Sequence, residues 1–131
     1  MLLGQQNEPQ MNVARVINPD ELTAIQREMR TALLAHRNRH GDEPFAVFHI
    51  FGGVNTDWLH ENLAIAALTR AYERKYGIGE RVKRAASRAL GRIFKWVLYD
   101  DRVVTYAIDH QERFRDGLSR TFYRVIGRTG R

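Results

Sequence analysis

Apolar positions recur along this chain with two different periods. Asn18-Pro19-Asp20-Glu21 is a helix start: Asn18 can cap, Pro19 suits the first helical position, and Glu21 stands three residues after the cap. Leu22, Ile25, Met29, Leu33 and His36 then follow a helical stripe. The cations of His36-Arg37-Asn38-Arg39-His40 suit a helix C-terminus, and Gly41 ends it. Upstream, residues 1–12 are polar and read as a flexible lead-in, and Val13 to Ile17 alternate weakly as a short strand.

Phe45-Ala46-Val47-Phe48-His49-Ile50-Phe51 is a nearly continuous apolar run between Pro44 and Gly52-Gly53, and reads as a strand buried on both faces. A second helix is expected from about Trp58 to Tyr76, with Leu59, Leu63, Ala66 and Ala67 on its apolar stripe and Gly77 and Gly79 after it. A third starts near Glu80. Val82, Ala85, Ala86, Ala89, Leu90, Ile93 and Val97 form its apolar side, while Gly91 falls on the polar side and weakens the helix by about 1 kcal/mol. Trp96, Val97, Tyr99, Val103, Val104, Thr105 and Tyr106 all favour strands. That propensity ends the helix between Phe94 and Val97, places a turn at Asp100-Asp101 and starts a strand at 102–108. A second capping box at Asp109–Glu112, followed by Phe114, Leu118, Phe122 and Ile126 at four-residue spacing, predicts a fourth helix over 110–126.

The pattern amounts to one α+β domain over 13–126, mainly helical, with about four helices and a small β-sheet around residues 45–51 and 102–108. Residues 127–131 form a basic tail. The length of 131 residues suits one domain, and an apolar share of 44% suits a packed core.

Charge changes this picture most. The net charge of +6 divides into −3 over residues 1–69 and +9 over 70–131, and 18 of the 21 basic residues are arginine. Arg81, Arg84, Arg88, Arg92 and Lys95 recur every three or four residues, so they stack along one side of the third helix, opposite its alanine-rich side. Only Glu80, four residues before Arg84, offers them a partner on the helix. Arg120, Arg124 and Arg128 extend the basic surface. Arginine forks onto phosphate with two hydrogen bonds and stacks on bases. Tyr76, Trp96, Tyr99 and Tyr123 lie near these charges in sequence and are candidate stacking platforms. A solvated helix face, or a genome that favours arginine codons, would leave the same pattern.

The remaining constellations are weaker. Gly52-Gly53 before a helix start could approach an anion, but the segment lacks the Gly-Lys-Ser/Thr of a phosphate loop. Asp57 and His60 could act as base and orienter, yet nothing marks a nucleophile. His36 and His40 sit four apart, but among arginines that discourage a dication. No cysteine is present, which excludes disulfides, thiolate catalysis and cysteine-ligated zinc. No catalytic residue, metal site or cofactor is expected.

The function expected from sequence is a non-enzymatic nucleic-acid-binding or nucleoprotein-assembly accessory factor, of the size of virus- or plasmid-encoded proteins. RNA is preferred over DNA because no helix-turn-helix or zinc pattern is present. Docking of an acidic protein through the same face is the alternative, and a small enzyme using Asp57 and His60 is the third. The apolar run 45–51 and the wide apolar face of the second helix argue for self-association, most simply a dimer. No signal peptide or membrane-spanning stretch is visible, so a cytoplasmic protein, or one packaged in a virion, is expected.

Overall fold

The computed structural model describes residues 1–10, 13–51, 60, 62–115, 117 and 119–128. Helix α1 spans Pro19–His40, α2 Val47–Ile50, α3 Leu63–Tyr76 and α4 Glu80–Asp100; strands β1 (Val104–Arg113) and β2 (Ser119–Arg128) form a two-stranded antiparallel sheet. The class is the α+β one read from the sequence, but two elements are of the opposite kind and one helix is longer.

α1 forms where its start signal places it. Asn18 Oδ1 accepts from Glu21 N–H at 2.8 Å, and Glu21 Oε1 accepts from Asn18 N–H at 3.2 Å. Gly41, at φ 64°, closes the helix by donating its N–H to Arg37 O. Ile25, Met29 and Leu33 are buried, with Leu22 and His36 at the margins. α3 buries Ile65, Ala66, Leu68, Thr69, Ala71 and Tyr72 and stops at Gly77, whose φ of 92° suits glycine. Leu63, assigned to its apolar stripe, is instead 87% exposed.

The 45–51 segment is not a strand. Phe45, Ala46, Phe48, Ile50 and Phe51 are buried and Val47 and His49 half-buried, but Val47–Ile50 is one turn of helix, and only Phe45 pairs with the sheet, through a bridge to Tyr123. A short apolar run carries no period that separates a strand from a buried helical turn. Burial of His49, with His40 nearby, holds its imidazole below its ordinary value against the pull of Glu112. The neutral ring accepts the Ala46 N–H at Nδ1, 3.1 Å away, and so closes the turn.

α4 runs through to Asp100 instead of ending between Phe94 and Val97. Ile93, Phe94, Val97 and Leu98 continue the stripe of Ala86, Ala89 and Leu90 into the core, and that burial outweighs their strand propensity. Asp100, badly placed for the helix dipole, meets Arg30 of α1 at 3.2 Å. The next residue starts the sheet. Asp101 Oδ1 accepts from the N–H groups of Val103 and Val104, both at 2.9 Å, and Oδ2 accepts from the Tyr106 hydroxyl at 3.0 Å.

The helix expected over 110–126 is a hairpin. β1 continues the strand expected at 102–108 as far as Arg113, and Gly117, at φ 80°, donates its N–H to Phe114 O in the turn. The residues of the second capping box make different bonds: Asp109 Oδ2 and Glu112 Oε2 hold the two ring nitrogens of His110 at 2.5 and 2.8 Å. Those bonds, to Glu112 and to Asp109, raise the His110 imidazole above its ordinary value.

Val13–Ile17 is a turn, with Val16 and Ile17 N–H both donating to Val13 O, and not a strand. In the lead-in, Leu2 is buried, Leu3 N–H donates to Tyr106 O at 2.7 Å, and Trp96 Nε1 donates to Glu8 Oε1 at 2.8 Å. Gly127 and Arg128, assigned to a tail, end β2.

The core joins the helices to the hairpin through rings. Phe45 lies 6.2 Å from Phe94, 6.0 Å from Tyr106 and 6.2 Å from Tyr123, the first two edge to face. Ala46, Phe48 and Phe122 form a smaller cluster with Phe114 against it.

Asp101 yields a pH-dependent prediction. Burial opposes its ionisation, but the hydrogen bonds from Val104, Val103 and Tyr106 hold its carboxyl below the ordinary value. A carboxylate depressed in the folded state contributes stability above its unfolded value, about pH 4. That contribution is lost as pH falls through the folded value. Asp101→Ala is expected to cost about 2 kcal/mol in urea melts at pH 7, with the gap to wild type closing below pH 4.

Candidate functional site

α4 meets the hairpin closely at Phe94 and Tyr123, whose ring centroids are 6.0 Å apart. Above that contact the two elements separate around a groove of about 370 Å³. One wall is α4, which contributes Arg84, Arg88, Arg92 and Lys95 with Ser87 and Gly91 between them. The other wall is the hairpin, including Ile108, Gln111, Ser119 and Thr121. Phe94 and Tyr123, 1% and 7% exposed, form the floor. Burial pushes the Tyr123 hydroxyl up to about 12, so the floor carries no negative charge near neutral pH.

The hairpin wall depends on irregular pairing. Ile108 pairs with Tyr123 and His110 with Phe122, so Asp109 is an extra residue in β1. This shift turns Gln111 to the same side as Ile108, Thr121 and Tyr123. It sends His110 to the opposite side, where the ring stacks on Phe122 at 4.5 Å. Asp109 and Glu112 are engaged on that far side: Asp109 Oδ1 meets Arg124 at 3.4 Å, and Glu112 holds His110.

No carboxylate lines the groove among the described residues. Nor does any described acid form an ion pair with Arg84, Arg88, Arg92 or Lys95, Glu80 included. Arg84, Arg88 and Arg92 are exposed and Lys95 is half-buried. From Arg84 to Lys95 the row rises about 16 Å along the helix.

The structure thus brings together four of the five α4 cations read from the sequence. Arg81 is exposed on the same helix but does not line the groove. Arg120 lines one end, with its guanidinium 4.3 Å from the Phe114 ring centroid and 5.6 Å from that of Phe48. Arg124 and Arg128 stand apart, paired with Asp109 and with Asp42 at 3.6 Å. The candidate stacking rings are engaged elsewhere. Trp96 is bonded to Glu8 and lies 5.5 Å from the Arg30 guanidinium, Tyr99 packs on the core, and Tyr76 sits under Lys75. Only Tyr123 reaches the groove, as floor.

The residues that sequence alone did not select are Ser87, Gly91, Gln111, Ser119 and Thr121. Ser87 and Gly91 share the helix face of Arg84, Arg88 and Lys95, a signal present in the spacing. Gln111, Ser119 and Thr121 could be found only by reading 110–126 as a hairpin.

The weaker constellations gain little. His60 is exposed and sits 4.0 Å from Glu73 Oε1, while Gly52-Gly53 and Asp57 lie outside the described residues. His36 and His40 have ring centroids 4.5 Å apart, but no group of three or more His, Asp or Glu among the described residues could hold a metal ion. No helix among the described residues is long and apolar enough to cross a membrane.

No protein-family model, curated protein or solved structure matches this chain.

Proposed function

We propose that the groove between α4 and the hairpin binds the phosphate backbone of nucleic acid, RNA in preference to DNA. The protein then serves as a non-enzymatic binding or assembly factor. The observation that carries this reading is the row Arg84, Arg88, Arg92 and Lys95 along a groove that no described carboxylate lines. Solvated charged helices normally interleave both signs. A same-sign row left without acids raises the local concentration of a polyanion and offers it forked hydrogen bonds.

RNA is favoured because α4 is flanked by the hairpin and is not a free recognition helix. A B-DNA major groove about 12 Å wide admits a bare helix, but not one with a second wall beside it. The uncharged polar side chains Ser87, Gln111, Ser119 and Thr121 suit the 2′-hydroxyl, which is both donor and acceptor.

The test is a fluorescence-anisotropy titration of labelled RNA at a series of salt concentrations. Four phosphate contacts on a single strand give a log–log slope of about −3. Raising salt from 50 to 200 mM then weakens binding about 50-fold. No shift with any RNA or DNA, together with salt-sensitive binding of poly-glutamate, would move the assignment to an acidic protein partner.

A further inference from the structure

Gly91 is the residue of α4 whose place in the helix interior has no local explanation. It has no positive φ and is no cap, and a Cβ built on it meets nothing within 4 Å. Every other residue type would serve the helix there as well or better, proline apart. Its position accounts for it. Gly91 lies in the groove lining between Arg88, Arg92 and Lys95, and with no side chain it leaves the middle of the cation row open.

We infer that the groove takes one single strand of nucleic acid, threaded between α4 and the hairpin, with Gly91 at the point of closest approach. This deepens the reading proposed above and rests on it. Two further observations bear on the strand rather than on phosphate alone. First, the cations differ in depth. Arg84, Arg88 and Arg92 are exposed at the rim, where any polyanion reaches them, whereas Lys95, Ser87 and Gly91 are half-buried. A duplex resting on the rim meets the arginines and leaves the lower groups unused. A single strand, in a cleft of about 370 Å³, meets both. Second, the opposite wall is polar and uncharged. Gln111 Nε2 donates to Thr121 Oγ1 at 3.4 Å, and both residues line the groove. Sugars and base edges need such groups, and a phosphate-only contact does not.

The experiment blocks the groove without touching charge. Gly91→Leu keeps every cation and is expected to melt no lower than wild type. Ser87→Leu, one turn earlier on the same wall, is a second obstruction should the first variant misfold. With a labelled 12-nucleotide oligouridylate, each is expected to bind at least tenfold more weakly than wild type. Twelve-base-pair duplex RNA is expected to bind wild type more weakly than the oligouridylate and to be little affected by either substitution. Duplex binding as tight as single-strand binding, or oligouridylate binding unchanged in the folded obstructed variants, overturns the threaded strand and leaves the phosphate-binding reading standing. Absence of salt-sensitive binding by wild type overturns both.

Discussion

Reversing Arg84 and Arg88 to glutamate is expected to weaken RNA binding about 100-fold at moderate salt while leaving the fold intact. Both side chains are exposed, and neither has an ion-pair partner among the described residues, so the folded state has little to lose by their replacement. Two lost charge-assisted contacts of about 1.5 kcal/mol each correspond to about 100-fold in affinity. Repulsion from the new carboxylates adds to this. The double reversal lowers the formal net charge from +6 to +2, so long-range attraction also falls. The salt slope should drop to about half its wild-type value, because two of four phosphate contacts are gone. Arg124→Glu with Arg128→Glu changes net charge by the same amount on arginines already paired with Asp109 and Asp42. If that control weakens binding as much as the groove reversal, net charge and not the groove governs affinity.

Phe45→Ala is expected to be the most destabilising single change, costing about 3–5 kcal/mol. A domain is stable by only about 5–15 kcal/mol in total. Phe45 is 1% exposed, and its ring meets Phe94 of α4, Tyr106 of β1, Tyr123 of β2 and His36 of α1. Among the described ring-to-ring contacts, no other ring reaches both strands and both long helices. Its backbone also exchanges two hydrogen bonds with Tyr123, at 2.8 and 2.7 Å, and these survive the substitution. The measured loss therefore reports ring packing. Urea melts followed by tryptophan fluorescence give the value, and Phe45→Leu should recover part of it. A loss under about 1 kcal/mol would mean that the helices and hairpin are joined some other way. Because Phe45 supports the Phe94–Tyr123 floor, the leucine variant should also loosen RNA binding modestly.

How much of this was legible in the residues varied with the kind of signal. α1 was fully legible, because Asn18, Pro19, Glu21 and Gly41 are local instructions that neighbouring atoms carry out. The register of Arg84, Arg88, Arg92 and Lys95 was legible for the same reason: helical spacing needs no tertiary information. The 110–126 segment has a helix-like pattern because Phe114, Leu118, Phe122 and Ile126 satisfy a spacing of four, and every second step of an alternating strand satisfies it too. The strand-favouring run Thr121 to Ile126 and the turn-forming pair Asp116-Gly117 pointed the other way. The end of α4 lies beyond the strand-favouring residues because Trp96, Val97 and Tyr99 favour strands by only about tenths of a kcal/mol, which burial of Val97 and Leu98 exceeds.

Local chemistry thus sufficed for both limits of α1, the stop of α3 at Gly77, the start of α4 at Glu80 and the single-sided placement of the α4 cations. The rest came with folding. Whether 45–51 is strand or helical turn is not written in its apolar run, which carries neither period. Whether the arginine row stood free in water or beside a second wall depended on the hairpin folding back to Phe94, about 30 residues away along the chain. Contacts between residues distant in sequence leave no period in the chain, and the meeting of the two groove walls rests on such contacts.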